Sequence, residues 1–344
     1  MFQTTDDERA ILRWLQLCLL LVFAMVLLGG ATRLTGSGLS MVTWHPTGML
    51  PPLDSGEWQA EFELYQQFPE YQLVNRHMTL DDFKRIFWFE YSHRMLGRLI
   101  GLVFVLPFAW FWLRGQLTAQ LKPRLAIMLV LGGLQGLLGW YMVKSGLIDN
   151  PRVSHYRLTA HLLSAILIYG FILWTIFNLA DLRDYRRLAD STVVGWRNGS
   201  LGLLALVLLT IASGGFVAGL DAGLIYNSFP LMGGELVPQG IDALTPWYLN
   251  PLENRVTIQF NHRWLATLTG LLLLVWYWRG RSRFDDALIV RSFKLVGMMV
   301  IIQLILGIST LLLQVPVWLG VLHQAGALLL FSAMLFNAHA LSRV

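Results

Sequence analysis

Eight apolar stretches of about 18 to 22 residues each dominate the chain, at 12–32, 94–113, 124–143, 158–179, 200–219, 263–279, 294–314 and 317–338. Each is long enough to cross the hydrocarbon of a bilayer at the helical rise. Backbone inside lipid must satisfy its own hydrogen bonds, so such runs predict helices. With 55% hydrophobic and 14% charged residues, the chain carries more apolar surface than a soluble domain could bury. The expected fold is an all-α membrane protein of eight transmembrane helices.

Lys and Arg give these helices a direction, because short, positively charged loops resist translocation. Arg9, Arg13, Arg114, Lys122, Arg124, Arg183, Arg186, Arg187, Arg279, Arg281 and Arg283 crowd the side of the N-terminus, whereas the other side spreads fewer over longer loops. Both termini are therefore expected to be cytoplasmic, in a multi-pass protein of the inner membrane. This asymmetry accounts for the net charge of +5, and no nucleic-acid partner is needed to explain it. The first apolar segment follows Asp6, Asp7 and Glu8 and ends without a small-residue cleavage site, so it reads as a retained helix. Cys18 is the single cysteine, which excludes an intramolecular disulfide and a cysteine metal site.

The second half of the chain restates the first. "GGATRLTGSGL" (29–39) is echoed by "GGFVAGLDAGL" (214–224), "EYSHRMLGRLIGL" (90–102) by "QFNHRWLATLTGL" (259–271), "LQGLLG" (134–139) by "IQLILG" (302–307), and "AHLLSAILI" (160–168) by "LHQAGALLL" (322–330). The pattern predicts two pseudo-symmetric four-helix bundles, 1–180 and 200–344, joined by a polar linker at 181–199. Four helices return the chain to its starting side, so the axis relating the halves should lie along the membrane normal. Two long loops lie on the outer side. Residues 40–92, with the acidic aromatic run "EWQAEFELYQQFPEY", read as a solvated cap over the first half, and 221–261 covers the second.

Histidine placement is the sharpest chemical signal. His93, His161, His262 and His323 each lie near the outer end of an even-numbered apolar helix, and they pair by repeat, His93 with His262 and His161 with His323. An ionisable side chain at that depth is costly unless partnered. Zinc asks for three or four clustered ligands, whereas two axial imidazoles satisfy a heme iron. The pattern predicts one heme site per half, near the outer face. Arg33, Arg94, Arg98, Arg157 and Arg263 lie at neighbouring helix ends, where guanidinium forks can pair with heme propionates or simply reach headgroups. His45, His77, His155 and His339 have no repeat counterparts and read as surface histidines.

Symmetry is broken at one telling place. Glu90, three residues before His93, becomes Gln259 in the second half. A carboxylate beside one pocket alone points to chemistry in the first half only, against the alternative of a carboxylate that merely caps its helix.

The motifs "GGATRLTGSGLSM", "FEYSHRMLGR", "LQGLLGWYMV", "VSHYRLTAHL", "SGGFVAGLDAGLIYNSFPLM", "QFNHR" and "HQAGA" resemble the heme A synthase family, over residues 25 to 335. The resemblance implies oxidation of a ring methyl of heme O to the formyl group of heme A, with water as oxygen source and the product destined for terminal oxidases. It implies that His93 and His161 ligate the substrate heme, that His262 and His323 ligate a retained heme B, and that Glu90 is the catalytic carboxylate. The implied partners are heme O, the bilayer, the farnesyltransferase that makes heme O, and oxidase assembly factors. Some members carry a cysteine pair in the first outer loop; this chain does not, which closes any route using loop thiols here.

The rival reading is a quinol-linked di-heme b-type electron-transfer protein. Such a protein usually stacks its hemes across the bilayer on helices that carry two histidines about four turns apart. Here each helix carries one, all near one face. A transporter or heme chaperone would have no use for a carboxylate beside one heme.

Overall fold

The computed structural model describes residues 6–43, 50–146, 153–180 and 191–342. Trp44, His45, Pro46 and residues 181–190 of the expected linker lie outside them. Among the described residues the regular elements are helices, with one isolated β-bridge between Met232 and Glu235. In chain order the α-helices are α1 (Asp6–Leu34), α2 (Ser55–Tyr65), α3 (Pro69–Leu73), α4 (Leu80–Leu113), α5 (Leu121–Gly146), α6 (His155–Ala180), α7 (Ser191–Gly219), α8 (Asn250–Glu253), α9 (Arg255–Gly280), α10 (Ala287–Leu312) and α11 (Val317–Leu341).

All eight apolar stretches fall on long helices, but only seven of these helices combine the length and apolarity to cross a membrane. The exception is α9. Its 26 residues suffice in length, while Arg263 and the Trp276-Tyr277-Trp278-Arg279 end shorten its apolar run.

Two helices start earlier than hydropathy predicts. Instead of beginning near 94, α4 starts at Leu80, where Thr79 and Asp82 form a reciprocal capping box. Its charged and aromatic first turns read as loop in the sequence, yet Phe83 and Phe87 are fully buried with Phe62 and Tyr65 of α2. The acidic aromatic run is thus a folded helical cap whose aromatic face packs on α4. Likewise α7 begins at Ser191, so residues 191–199 of the expected linker are helical.

The chain divides into two compact units, 17–168 and 169–344 together with 1–16. These are a different division from the repeat halves, because α1 and α6 are each split between units. Within the larger unit α7 packs on α9, α9 on α10, α10 on α11 and α11 back on α7, a closed ring of four helices. Within 17–168 the principal packing is of α4 on α5 and of α2 on α4.

A single side chain ties the closed ring together. Asn337 of α11 is fully buried. Its Oδ1 accepts from Ser200 of α7 (2.8 Å) and from Trp276 Nε1 of α9 (3.0 Å), and its Nδ2 donates to Ser292 of α10 (2.8 Å). Without water to replace them, these bonds hold four helices in register. Asn337→Leu should lower stability by about 2 kcal/mol, because two donors lose their acceptor in an apolar core. Thermal melting in detergent measures it, with Ser292→Ala as a milder comparison that spares two of the three bonds.

The cap holds a second buried polar group. Glu70 Oε2 accepts from the Tyr65 hydroxyl (3.0 Å), which in turn accepts from Asn75 Nδ2 (2.8 Å). Burial pushes the Glu70 carboxyl up to about 7, the Tyr65 bond opposes this, and the charge of Glu90 adds to it. The folded cap therefore keeps a proton that the unfolded chain releases at about 4.5. Stability is full below that value, falls by on the order of 3 kcal/mol as pH rises to about 7, and is flat above. Protease cleavage within 50–79 should accelerate across that window in the wild type, and Glu70→Gln should abolish the slope.

Candidate functional site

The four helix-borne histidines share one feature in both halves. Each imidazole lies against a glycine of another helix, close enough that a side chain there would crowd the ring. A Cβ on Gly29 of α1 would stand 3.2 Å from His93 Nε2, and one on Gly139 of α5 would stand 3.1 Å from His161 Cε1. In the second half a Cβ on Gly214 of α7 would stand 3.1 Å from His262 Cε1, and one on Gly307 of α10 would stand 2.9 Å from His323 Cε1. Gly29 matches Gly214 and Gly139 matches Gly307 in the repeat. In both halves glycine is thus what lets a neighbouring helix pack this closely against the imidazole.

Glutamine repeats too. Gln135 Nε2 lies 3.2 Å from His161 Nδ1 and donates to the His161 carbonyl (2.9 Å). Gln303 does the same to His323, at 3.2 and 3.0 Å. His262 Nδ1 instead meets the Ser213 hydroxyl at 2.7 Å. None of Gln135, Gln303, Ser213 or the four glycines is singled out by the sequence reading, although Gln and Gly stand at matching positions in "LQGLLG" and "IQLILG".

Within each half the two imidazoles are near enough to interact electrostatically. Among the described residues no three His, Cys, Asp or Glu side chains are placed to hold a metal ion. Two imidazoles from different helices in each half suit the ligation of a heme iron better than a zinc site, which asks for three or four ligands.

Glu90 is buried and fully engaged. One carboxylate oxygen accepts from the Ser40 hydroxyl (2.8 Å) and the Met41 backbone N–H (2.6 Å), and the other pairs with Arg94 of the next turn. Arg94 also donates to the carbonyls of Thr43 (2.8 Å) and Met41 (2.7 Å). The second half repeats this clasp in neutral form. Gln259 Nε2 donates to the Tyr226 carbonyl (2.9 Å), and Arg263 donates to the Ser228 carbonyl, Tyr226 and Ser228 being the repeat mates of Met41 and Thr43. Even the turns leading in agree: Gly36 and its mate Asp221 both adopt left-handed backbone, φ 64° and 52°.

The remaining arginines differ in their surroundings. Arg157 stacks over the Tyr141 ring (4.5 Å), and Arg98 Nη1 lies 3.7 Å from Met95 Sδ. Arg33 is half-buried at the end of α1. Arg263 Nη1 is buried with no partner among the described residues, a donor that a ligand carboxylate could take.

Two expected surface histidines are not at the surface. His155 is buried, its ring 4.1 Å from that of Tyr156. His339 is buried between Trp174 and Phe177, with Nε2 3.0 Å from Asn178 Oδ1. At His339 the cover is aromatic packing, which helix position alone does not reveal. His77 is exposed as expected.

Helices, repeat and paired histidines together define a class: all-helical, multi-pass membrane proteins with a histidine pair in each repeated half. The chain belongs to the cytochrome oxidase assembly protein family, whose model matches residues 12–335. It is 50% identical to the heme A synthase of Paramagnetospirillum magneticum, over 98% of this chain and 95% of that one. It is 48% identical to the heme A synthase of Nitrosospira multiformis, over 99% and 97%. It is 46% identical to mouse heme A synthase COX15, over 98% of this chain and 83% of the mouse protein.

The clasp yields a test of its own. Arg94→Leu strands a buried carboxylate and should cost about 3 kcal/mol or more, whereas Glu90→Gln/Arg94→Leu, which removes both charges, should recover much of that. Thermal melting of the two single variants and the double variant, read as a cycle, measures the pair directly.

Proposed function

We propose that this chain is a heme A synthase of the inner membrane, oxidising a ring methyl of heme O to a formyl group. The observation that carries it is the repeated imidazole setting, a glycine against all four rings and a glutamine at His161 and His323 alike, in a chain nearly half identical to named heme A synthases along its whole length. In this reading α9 is the eighth span and the helices form two bundles. Both termini are cytoplasmic and the heme sites lie near the outer face. His93 and His161 ligate the substrate heme, and His262 and His323 ligate a heme B. When bound, that heme B supplies a redox-active iron inside the membrane. Arg33, Arg98, Arg157 and Arg263 are the propionate candidates, Arg263 with an Nη1 to offer; Arg94 would have to share its fork with Glu90. The heme O farnesyltransferase and oxidase assembly factors are the natural neighbours.

Conversion of methyl to formyl with one water releases four electrons, which an external electron acceptor must take, and four protons. Removing electrons from the methyl develops positive charge on its carbon, and Glu90 stands one helical turn before His93 to meet it. Three donors, Ser40, Met41 N–H and Arg94, suit the carboxylate in its ionised form and fix its direction beforehand. Fixed charge of this kind in a low-dielectric site is an effective electrostatic catalyst.

Extraction and chromatography of the hemes from purified protein tests the reading. Heme B together with heme O, a hydroxylated derivative or heme A is expected. Heme B alone, where heme O is available, would replace the synthase by the di-heme electron-transfer protein. Glu90→Gln should keep both hemes yet lose heme A formation by a factor of about 10² or more in cells lacking their own enzyme. Near-normal conversion would leave Glu90 as a clasp alone.

A further inference from the structure

We infer that hydrogen bonding sorts the four imidazoles into three fixed and one free, and that His93 is the axial ligand that lets go when substrate heme enters and product leaves. The inference rests on the heme assignment proposed above and adds a division of labour to it.

The fixed rings are held in two ways. The Ser213 hydroxyl donates its one proton to the Thr210 carbonyl (2.7 Å), so at His262 Nδ1 (2.7 Å) it can only accept. That places the imidazole proton on Nδ1 and leaves Nε2 bare, the tautomer an iron ligand requires. His161 and His323 are braced by Gln135 and Gln303, whose amides touch Nδ1 and are tied to the backbone carbonyl of the same histidine. Gln135 is held further by Ser164, which donates to its Oε1.

His93 has no such brace. Its ring rests on Gly29 and makes no hydrogen bond to any described residue. The repeat mate of Ser213 is Leu28, which cannot make one. The backbone around His93 is nonetheless firmly held, since Glu90 and Arg94 on either side of it grip residues 40–43. Freedom is confined to the side-chain torsions of one histidine.

This distribution matches what turnover demands of each half. A retained cofactor is served by two fixed imidazoles, and a substrate that must arrive and depart is served by one fixed imidazole and one that swings. The bond that breaks on release is iron to His93 Nε2, with no change in electron count, and a ring that can turn away recaptures the iron less often.

The test exchanges the two mates. Purified protein carrying both hemes is mixed with excess apomyoglobin as heme acceptor, and transfer is followed by absorbance, with chromatography of the heme left behind and low-spin electron paramagnetic resonance of the starting material. Two phases are expected in the wild type, the fast one carrying heme O or its oxidised products and the slow one heme B. Leu28→Ser should slow the fast phase by roughly tenfold, the weight of one strong hydrogen bond. Ser213→Leu should speed the slow phase by a similar factor and leave the fast one alone. Equal release from both halves, or unchanged phases in either variant, overturns the proposal. Should Leu28→Ser not fold, Ser213→Leu decides by itself. Heme B in both phases would overturn the synthase reading instead, and the asymmetry of ligands would still be read from the two rates.

Discussion

Inside a membrane every polar group must find its partner in the protein or in a ligand, because no water is there to take it. That constraint organises this structure. It is met at Asn337, whose amide joins four helices in one buried set of bonds. It is met again at Glu90, which receives three donors before any ligand is considered. The histidines show the same economy from the other side: each ring is seated against a glycine, and three of the four are held by a hydrogen bond at Nδ1.

The repeat makes the two halves each other's control. Both fasten the segment after their first helix to the helix bearing the first histidine, using the residue three before it and the arginine after it. The first half does this with a carboxylate and the second with an amide. Since the neutral clasp in the second half serves the same fastening, fastening does not require the charge of Glu90. What the carboxylate adds is a fixed negative charge one turn from His93, and this is why the broken symmetry bears on chemistry and not only on stability.

Much of this was legible in the sequence and some was not, for physical reasons. The eight apolar stretches all lie on helices, because a lipid-facing run has few other options. The histidine pairs and the Glu90–Gln259 difference emerge from aligning the chain with itself. The early start of α4 was hidden, because residues 80–92 mix charges with aromatics and their helix is stabilised by packing on α2 that hydropathy does not report. Burial of His339 was hidden for a similar reason, as rings distant in sequence cover it. Gln135 and Gln303 stood in plain view inside a repeated motif. Ser213 did not, since its mate is a leucine and symmetry points away from it.

The departures from symmetry fall in one direction. In the second half the helices close into a ring, a buried amide fixes their register, and both imidazoles are braced. The first half has its principal packing between α4 and α5 and between α4 and the cap, and leaves one imidazole unbraced. An ancestral pair of equal bundles could have held two hemes equally well. Under the proposed function, with substrate and cofactor both hemes, the enzyme gains from holding them unequally, because exchange of one must not loosen the other. On the assignment proposed above, matching histidine pairs serve both ends, and a serine in one half against a leucine in the other sets how firmly each first ring is held.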